Sequence, residues 1–146
     1  MISVPTTCTF CAIRDGAVPA EVVLDENDVM AFLDVRPLFP GHTLVIPRRH
    51  VGTLVDLPDA LLAPLLGATR RVAGAMVDAL GSDGSFVANN NVVSQSVPHL
   101  HFHVVPRTRG DGLKGFFWPR HPYGSAAEMS AIAARLRAAL AVGSGG

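Results

Sequence analysis

Three histidines alternate with large apolar residues in the segment 97–106, which reads Val-Pro-His-Leu-His-Phe-His-Val-Val-Pro. Two residues is the period of a β-strand, so we expect a strand with His99, His101 and His103 on one face and apolar residues on the other. Imidazole acts near neutral pH as a nucleophile, as an acid or base, or as a metal ligand. Three such rings on one rigid element predict a reactive or metal-binding site, and a three-histidine catalytic zinc site is one alternative.

A second group with chemical potential is the pair Cys8 and Cys11, which stand three positions apart. A C-x-x-C turn brings two thiols within reach of one tetrahedral zinc ion, and two further ligands would have to come from elsewhere in the chain. A redox-active pair and two merely buried cysteines are the alternatives. A structural disulfide is not expected in a reducing cytosol.

Composition limits the classes of protein to which the chain can belong. The 146 residues are 49% hydrophobic and 16% charged, which is typical of a globular protein, and we expect one domain over residues 1–146. Twelve basic residues balance twelve acidic ones, so charge gives no reason to expect a nucleic acid or an anionic membrane as partner. The N-terminus lacks the pattern of a signal peptide, and the expected location is the cytoplasm.

The elements that must position these residues follow from periodicity and turn residues. Short apolar runs predict strands over 21–24, 29–35, 42–47 and 85–88, before the histidine strand. Helical spacing predicts a long helix over 58–80, capped by Asp56, although Pro64 must either bend it or delay its start. A short helix over 126–141 and a flexible tail over 142–146 complete the chain. This order predicts an α+β fold, with a mainly antiparallel sheet of about five strands.

The run His99–Val105 resembles the signature of the histidine triad (HIT) superfamily, in which three histidines alternate with hydrophobic residues. Other segments resemble that superfamily in the same order along the chain: its zinc-binding N-terminus, its central hairpin and its phosphate-contacting segment. These segments are Cys8–Ile13, then Phe32–Val35 with Gly41–His50, then Gln95–Val97. The resemblance covers about residues 8–107 and implies a HIT-like domain of the branch called Hint-like. It assigns no role to residues 110–122, and Trp118 fits a core, a dimer contact or a substrate wall.

The resemblance implies an enzyme that acts on AMP or GMP linked through the α-phosphate to a leaving group. His101 would attack the phosphorus and form a covalent nucleotidyl-histidine, which water then hydrolyses. The other implied roles belong to residues that bind the substrate or assist the nucleophile. His103, Gln95 and Ser96 would donate hydrogen bonds to the phosphate, Asp34 would bind the ribose, and His42 would orient or acidify the cluster. One of the asparagines 89–91 would contact the phosphate, and Asn91 is the first choice.

The resemblance also implies a metal and a partner. Cys8, Cys11, His50 and His99 would bind a structural zinc ion, because a closed Cys₂His₂ set leaves no open position for catalysis. A homodimer joined through sheet edges is expected. The first expectation for the activity is a purine nucleoside phosphoramidase. The alternatives are a dinucleoside polyphosphate hydrolase of the Fhit-like type and a nucleotide-binding regulatory module with little turnover.

Overall fold

The computed structural model describes residues 8–114 and 119–143, and the chain divides after Asp111 into two compact units. Within its described residues, 8–111, the first unit contains two α-helices and five strands. In chain order they are α1 (Thr9–Arg14), β1 (Val22–Asp25), β2 (Val29–Leu33), β3 (Thr43–Pro47), α2 (Leu62–Leu80), β4 (Gly84–Ala88) and β5 (Phe102–Arg107). The second unit contains α3 (Ala126–Gly143). Trp118 and residues 144–146 lie outside the described residues.

The five strands form one antiparallel sheet in the order β1-β2-β3-β5-β4. In this order β5 lies inside the sheet, where His103 pairs with Leu44 of β3 and with Ala88 of β4. The predicted fold class is therefore confirmed, including the long helix and the short C-terminal helix. Helix α1 was not predicted, because its six residues are too few to show a helical period.

Each face of the sheet carries its own core. On one face, Leu65, Ala68 and Met76 of α2 pack with sheet residues such as Val45 and Val104. On the other face, Phe10 of α1 packs on Met30, Phe32, Leu44 and Ile46. The sheet thus separates a helix that stabilises the fold from a short helix that lies beside the histidines.

Helix α2 shows how the chain accommodates Pro64. Two short 3₁₀ turns, Leu54–Asp56 and Asp59–Leu61, precede the helix, so Pro64 is its third residue. The first N–H groups of a helix have no partner within it, and a proline there removes no hydrogen bond. Asp56 caps the first 3₁₀ turn instead of α2. By length and hydropathy alone, the segment Asp59–Leu80 is long and apolar enough to cross a membrane, a property that the core helices of many proteins share.

The histidine segment departs from the prediction in one respect. The hydrogen-bonded strand begins only at Phe102, so His103 lies on β5 while His99 and His101 precede it. The reason is local, because the N–H of His99 bonds to the carbonyl of Val97 and the N–H of Leu100 bonds to that of Val51. The predicted separation of faces still holds, since Leu100 packs in the core under α2 while His99 and His101 contact Phe10.

Candidate active site and metal centre

The ring of His101 is held in one orientation by the backbone. Its Nδ1 lies 2.7 Å from the carbonyl oxygen of His99, and 2% of the residue is exposed. A carbonyl oxygen only accepts, so Nδ1 carries the proton and Nε2 keeps its lone pair. Burial, the largest cause, lowers the pKa of His101, which favours this neutral form.

His103 and His42 form a directly bonded pair beside this ring. Nε2 of His42 lies 2.9 Å from Nδ1 of His103, and the ring centroids of His101 and His103 are 4.9 Å apart. Burial lowers the pKa of His42 and, with the neighbouring His101, lowers that of His103 to about 4. Both rings are therefore neutral near pH 7. Asp34 lies beside them, with Oδ2 3.7 Å from Nε2 of His42.

Two ring nitrogens remain available for a ligand. Among residues 8–114 and 119–143, Nε2 of His101 and Nε2 of His103 have no hydrogen-bond partner. No described side-chain nitrogen or oxygen is both fully buried and unpaired, so each of these two atoms has at least slight contact with solvent. Two imidazole nitrogens on neighbouring rings are thus unpaired within the described part of the chain.

The loop that precedes the histidines is shaped by its own amide side chains. Nδ2 of Asn89 donates to the carbonyl of His101 at 2.9 Å. Asn91 donates to Oδ1 of Asn89 at 2.6 Å and accepts from the N–H of Leu54 at 2.8 Å. Asn91, the predicted phosphate contact, therefore bonds within the protein, whereas Asn89 supports the backbone of the candidate nucleophile.

Gln95 and Ser96, the other predicted phosphate contacts, differ in availability. Oε1 of Gln95 accepts from the N–H of Val92 at 3.0 Å, and its Nε2 donates to the carbonyl of Gly52 at 2.6 Å. Ser96 is exposed, with no side-chain hydrogen bond to the described residues. Val92 and Ser94 have φ angles of 68° and 62°, so this loop holds strain of a kind that clusters at functional sites.

The four predicted metal ligands come together at the other end of the histidine row. Their ligand atoms all lie within 4.8 Å of one another. Nδ1 of His99 is 3.4 Å from Sγ of Cys8, 3.6 Å from Sγ of Cys11 and 3.1 Å from Nδ1 of His50. Tetrahedral zinc with ordinary bond lengths would separate sulfur and nitrogen by about 3.5 Å and two nitrogens by about 3.3 Å. The four residues therefore fit a tetrahedral metal ion.

The surroundings of this cluster favour metal binding as well. Nε2 of His99 donates to the carbonyl of Pro47 at 2.9 Å, which leaves Nδ1 with the lone pair that a metal requires. Burial, the largest cause, lowers the pKa of His99 to about 4. Burial and the neighbouring Cys8 raise the pKa of Cys11 to about 11, so a metal ion that binds there must displace a thiol proton.

Phe10 joins the metal cluster to the reactive ring. It stands between the two cysteines, its residue is 5% exposed, and its ring meets those of His99 and His101 edge-on at 5.9 and 4.9 Å. No role was predicted for Phe10, and Asn89 was predicted only as an alternative to Asn91 for the phosphate contact. An aromatic residue inside a C-x-x-C turn was the signal available for Phe10, and a run of three asparagines was the one available for Asn89.

Known proteins with similar sequences identify the family to which the chain belongs. The HIT domain family matches residues 15–110, and the chain belongs to that family. An uncharacterised HIT-like protein of Methanocaldococcus jannaschii is 41% identical over 107 residues, which cover 72% of this chain and 82% of the relative. The adenosine 5'-monophosphoramidase of Schizosaccharomyces pombe is 33% identical over 118 residues, which cover 80% and 86%.

A solved structure agrees with the fold and bears on the metal cluster. The crystal structure of a zinc-bound histidine triad family protein from Mycobacterium smegmatis superposes with a TM-score of 0.71 at 36% identity, and the match covers 91% of this chain and 97% of that one. The predicted family and fold are therefore confirmed. The roles of individual residues stay predictions.

Proposed function

We propose that the protein is a nucleotidyl hydrolase that releases AMP or GMP from a leaving group on the α-phosphate, most specifically a purine nucleoside phosphoramidase. The observation that carries this proposal is the orientation of His101, whose protonated Nδ1 is held by a carbonyl while Nε2 is free. A yeast relative named an adenosine 5'-monophosphoramidase supports the choice of substrate.

In the proposed reaction, the lone pair on Nε2 of His101 forms a bond to phosphorus as the bond from phosphorus to the leaving amine breaks. The amine takes a proton from solvent water as it departs. Water then attacks phosphorus, the bond from phosphorus to Nε2 of His101 breaks, and the proton that the water loses returns to solvent, which frees the nucleotide and the ring. The carbonyl of His99 holds the ring in line, and fixed geometry is much of phosphoryl-transfer catalysis. His103 and Ser96 supply hydrogen-bond donors for the phosphoryl oxygens, and Asp34 accepts from the ribose.

The test of this mechanism is His101→Gly, with the exposed His121→Gly as matched control. We expect the first variant to lose turnover of a fluorogenic AMP-amine substrate by on the order of 10⁴-fold or more, while nucleotide binding and the fold persist. Rapid-quench mass spectrometry of the wild type should find a nucleotidyl adduct on His101. Undiminished activity of His101→Gly, or an adduct on another residue, would overturn the assignment.

The same substrate panel separates the alternatives. A phosphoramidase should release AMP from an amine faster than it cleaves diadenosine polyphosphates, since the two substrates differ in leaving group. The reverse preference would identify a dinucleoside polyphosphate hydrolase. Tight nucleotide binding with negligible turnover of both substrates would identify a regulatory binding module.

We also propose that Cys8, Cys11, His50 and His99 hold a structural zinc ion. The ion would link the start of α1 to the residue two positions before His101. Metal analysis should find about one zinc per chain, as expected for a single four-ligand site. The double variant Cys8→Ser/Cys11→Ser should lose both the zinc and thermal stability, and a metal-free wild type of equal stability would contradict the proposal.

The proposed assembly is a homodimer, and the proposed location is the cytoplasm. β4 ends the sheet, and its apolar side chain Val87 is exposed. An uncovered edge strand favours pairing with a second copy. Light scattering at micromolar concentration should give twice the chain mass, and a monomer would contradict the dimer. The free cysteines suit a reducing compartment.

A further inference from the structure

The segment between β2 and β3 folds around the ring of His42. The N–H of Asp34 donates to the carbonyl of His42 at 2.9 Å, and the N–H of His42 donates to the carbonyl of Phe39 at 3.0 Å. The N–H of Leu38 points at the ring itself and lies 3.1 Å from Nδ1 of His42. Gly41 permits this closed turn, because its φ of +103° is a conformation that other residues rarely adopt. The backbone thus places a fixed donor on one ring nitrogen.

This donor determines where the proton of His42 resides. A backbone N–H can only donate, so Nδ1 of His42 must offer a lone pair, and the ring in its neutral form carries the proton on Nε2. That nitrogen lies 2.9 Å from Nδ1 of His103 but 3.7 Å from the carboxylate of Asp34. Only the shorter distance is a hydrogen bond. His103 therefore accepts at Nδ1, and its own proton is on Nε2.

The adjacent ring of His101 has the opposite arrangement. Its Nδ1 bonds to an acceptor, the carbonyl of His99, so its Nε2 is without a proton. Two neighbouring imidazoles of identical chemistry thus present different free atoms, a lone pair on His101 and an N–H on His103. Neither ring needs a charge to differ in this way, which matters because a charge is costly on His101, which is buried, and on His103, which is half-buried.

We propose that the backbone amide of Leu38 is a positioning group that acts through His42 to fix the tautomer of His103 and make that ring a neutral N–H donor. Its acceptor would be a phosphoryl oxygen of the substrate held by His101, and this part rests on the function proposed above. The tautomers themselves do not depend on that function. An N–H donor fixed before the substrate arrives needs no reorganisation when charge develops on the phosphate.

Long-range ¹H–¹⁵N NMR of the ring-labelled wild type, free of substrate and near neutral pH, tests the tautomers directly. We expect Nε2–H on His42 and on His103, and Nδ1–H on His101. A proton on Nδ1 of either His42 or His103 would overturn the proposal, whether or not the protein proves to be an enzyme. A protein with the expected tautomers but no nucleotidyl activity would refute only the proposed function.

A single-atom change then tests the part played by Leu38. Replacement of its amide by an ester, through the α-hydroxy acid analogue of leucine, removes the N–H and keeps the side chain. We expect the ratio of Nε2–H to Nδ1–H in His42 and His103 to fall about five- to tenfold, the equivalent of one neutral hydrogen bond. Leu38→Ala keeps the amide and should leave the ratio unchanged. An unchanged ratio in the ester protein would overturn the role of the amide, and Leu38→Pro provides a second amide-free variant.

Discussion

Phe10 offers the sharpest test of how the short helix α1 supports the histidines. It is the buried residue of α1, and its ring contacts Phe32 at 5.3 Å as well as His99 and His101. Loss of a buried phenylalanine side chain lowers the free energy of unfolding by about 3–5 kcal/mol, part of which comes from the cavity that remains. A short helix such as α1 can move away from the sheet, which avoids part of the cavity cost. We therefore expect Phe10→Ala to lower the free energy of unfolding by about 3 kcal/mol, a large part of the roughly 5–15 kcal/mol of a typical domain.

The same substitution should weaken the metal site. Two attachments would hold α1 on the sheet: the packing of Phe10, and the metal ion bound by Cys8 and Cys11. When the side chain of Phe10 is removed, metal binding alone must offset the entropy lost on ordering the helix. We expect zinc affinity, measured by competition with a chromogenic chelator, to fall about tenfold, in the range found when groups around a metal site are removed. Urea unfolding with zinc and with EDTA should show that chelation destabilises Phe10→Ala less than wild type, because a weaker metal site contributes less stability for the chelator to remove.

Phe102→Ala is the matched control. Phe102 lies on the opposite face of the histidine segment and packs against the core under α2. It should lose stability but keep the zinc affinity of the wild type. The reasoning would be refuted by a Phe10→Ala protein within about 1 kcal/mol of wild type, which is below the cost of a buried aromatic deletion, or by equal zinc affinities in the two variants.

Three further predictions concern stability and turnover. Burial and the neighbouring His101 lower the pKa of His103 to about 4 in the folded protein. Between about pH 4 and pH 6.5 the unfolded chain therefore binds more protons than the folded one. The contribution of His103 to the free energy of unfolding should be fully present above about pH 6.5 and should fall as the pH falls towards 4. Urea unfolding at stepped pH checks this, and His103→Asn should flatten the curve. Gly67→Ala, inside α2 with no atom near its missing Cβ, should stabilise by about 0.5–1 kcal/mol in thermal unfolding, and no gain would contradict it. Asn89→Ala, which removes the donor to the carbonyl of His101, should lower turnover about tenfold in a steady-state assay, whereas Asn90→Ala should not.

Much of the fold follows from local pattern. The short apolar runs of β2 and β3 and the helical spacing along α2 are properties of neighbouring residues, so the sequence determined these elements and the fold class. The start of β5 at Phe102, three residues after His99, was not predicted. An extended chain alternates its side chains whether or not its backbone pairs with another strand, so the alternating pattern does not show where pairing begins. Helix α1 was missed for a related reason, since a helix of six residues depends on its N-cap and on burial of Phe10 more than on propensity.

The candidate site divides in the same way. Residue types alone determined that three histidines and two cysteines could do chemistry, and resemblance to the HIT superfamily suggested which of them could bind metal. Only the tertiary structure decided what each ring nitrogen faces. The carbonyls of Pro47 and His99 and the amide of Leu38 come from different segments, and hydrogen-bond direction depends on where those segments meet. Three equivalent histidines in the sequence therefore become a ring suited to metal, a ring with a lone pair and a ring with an N–H.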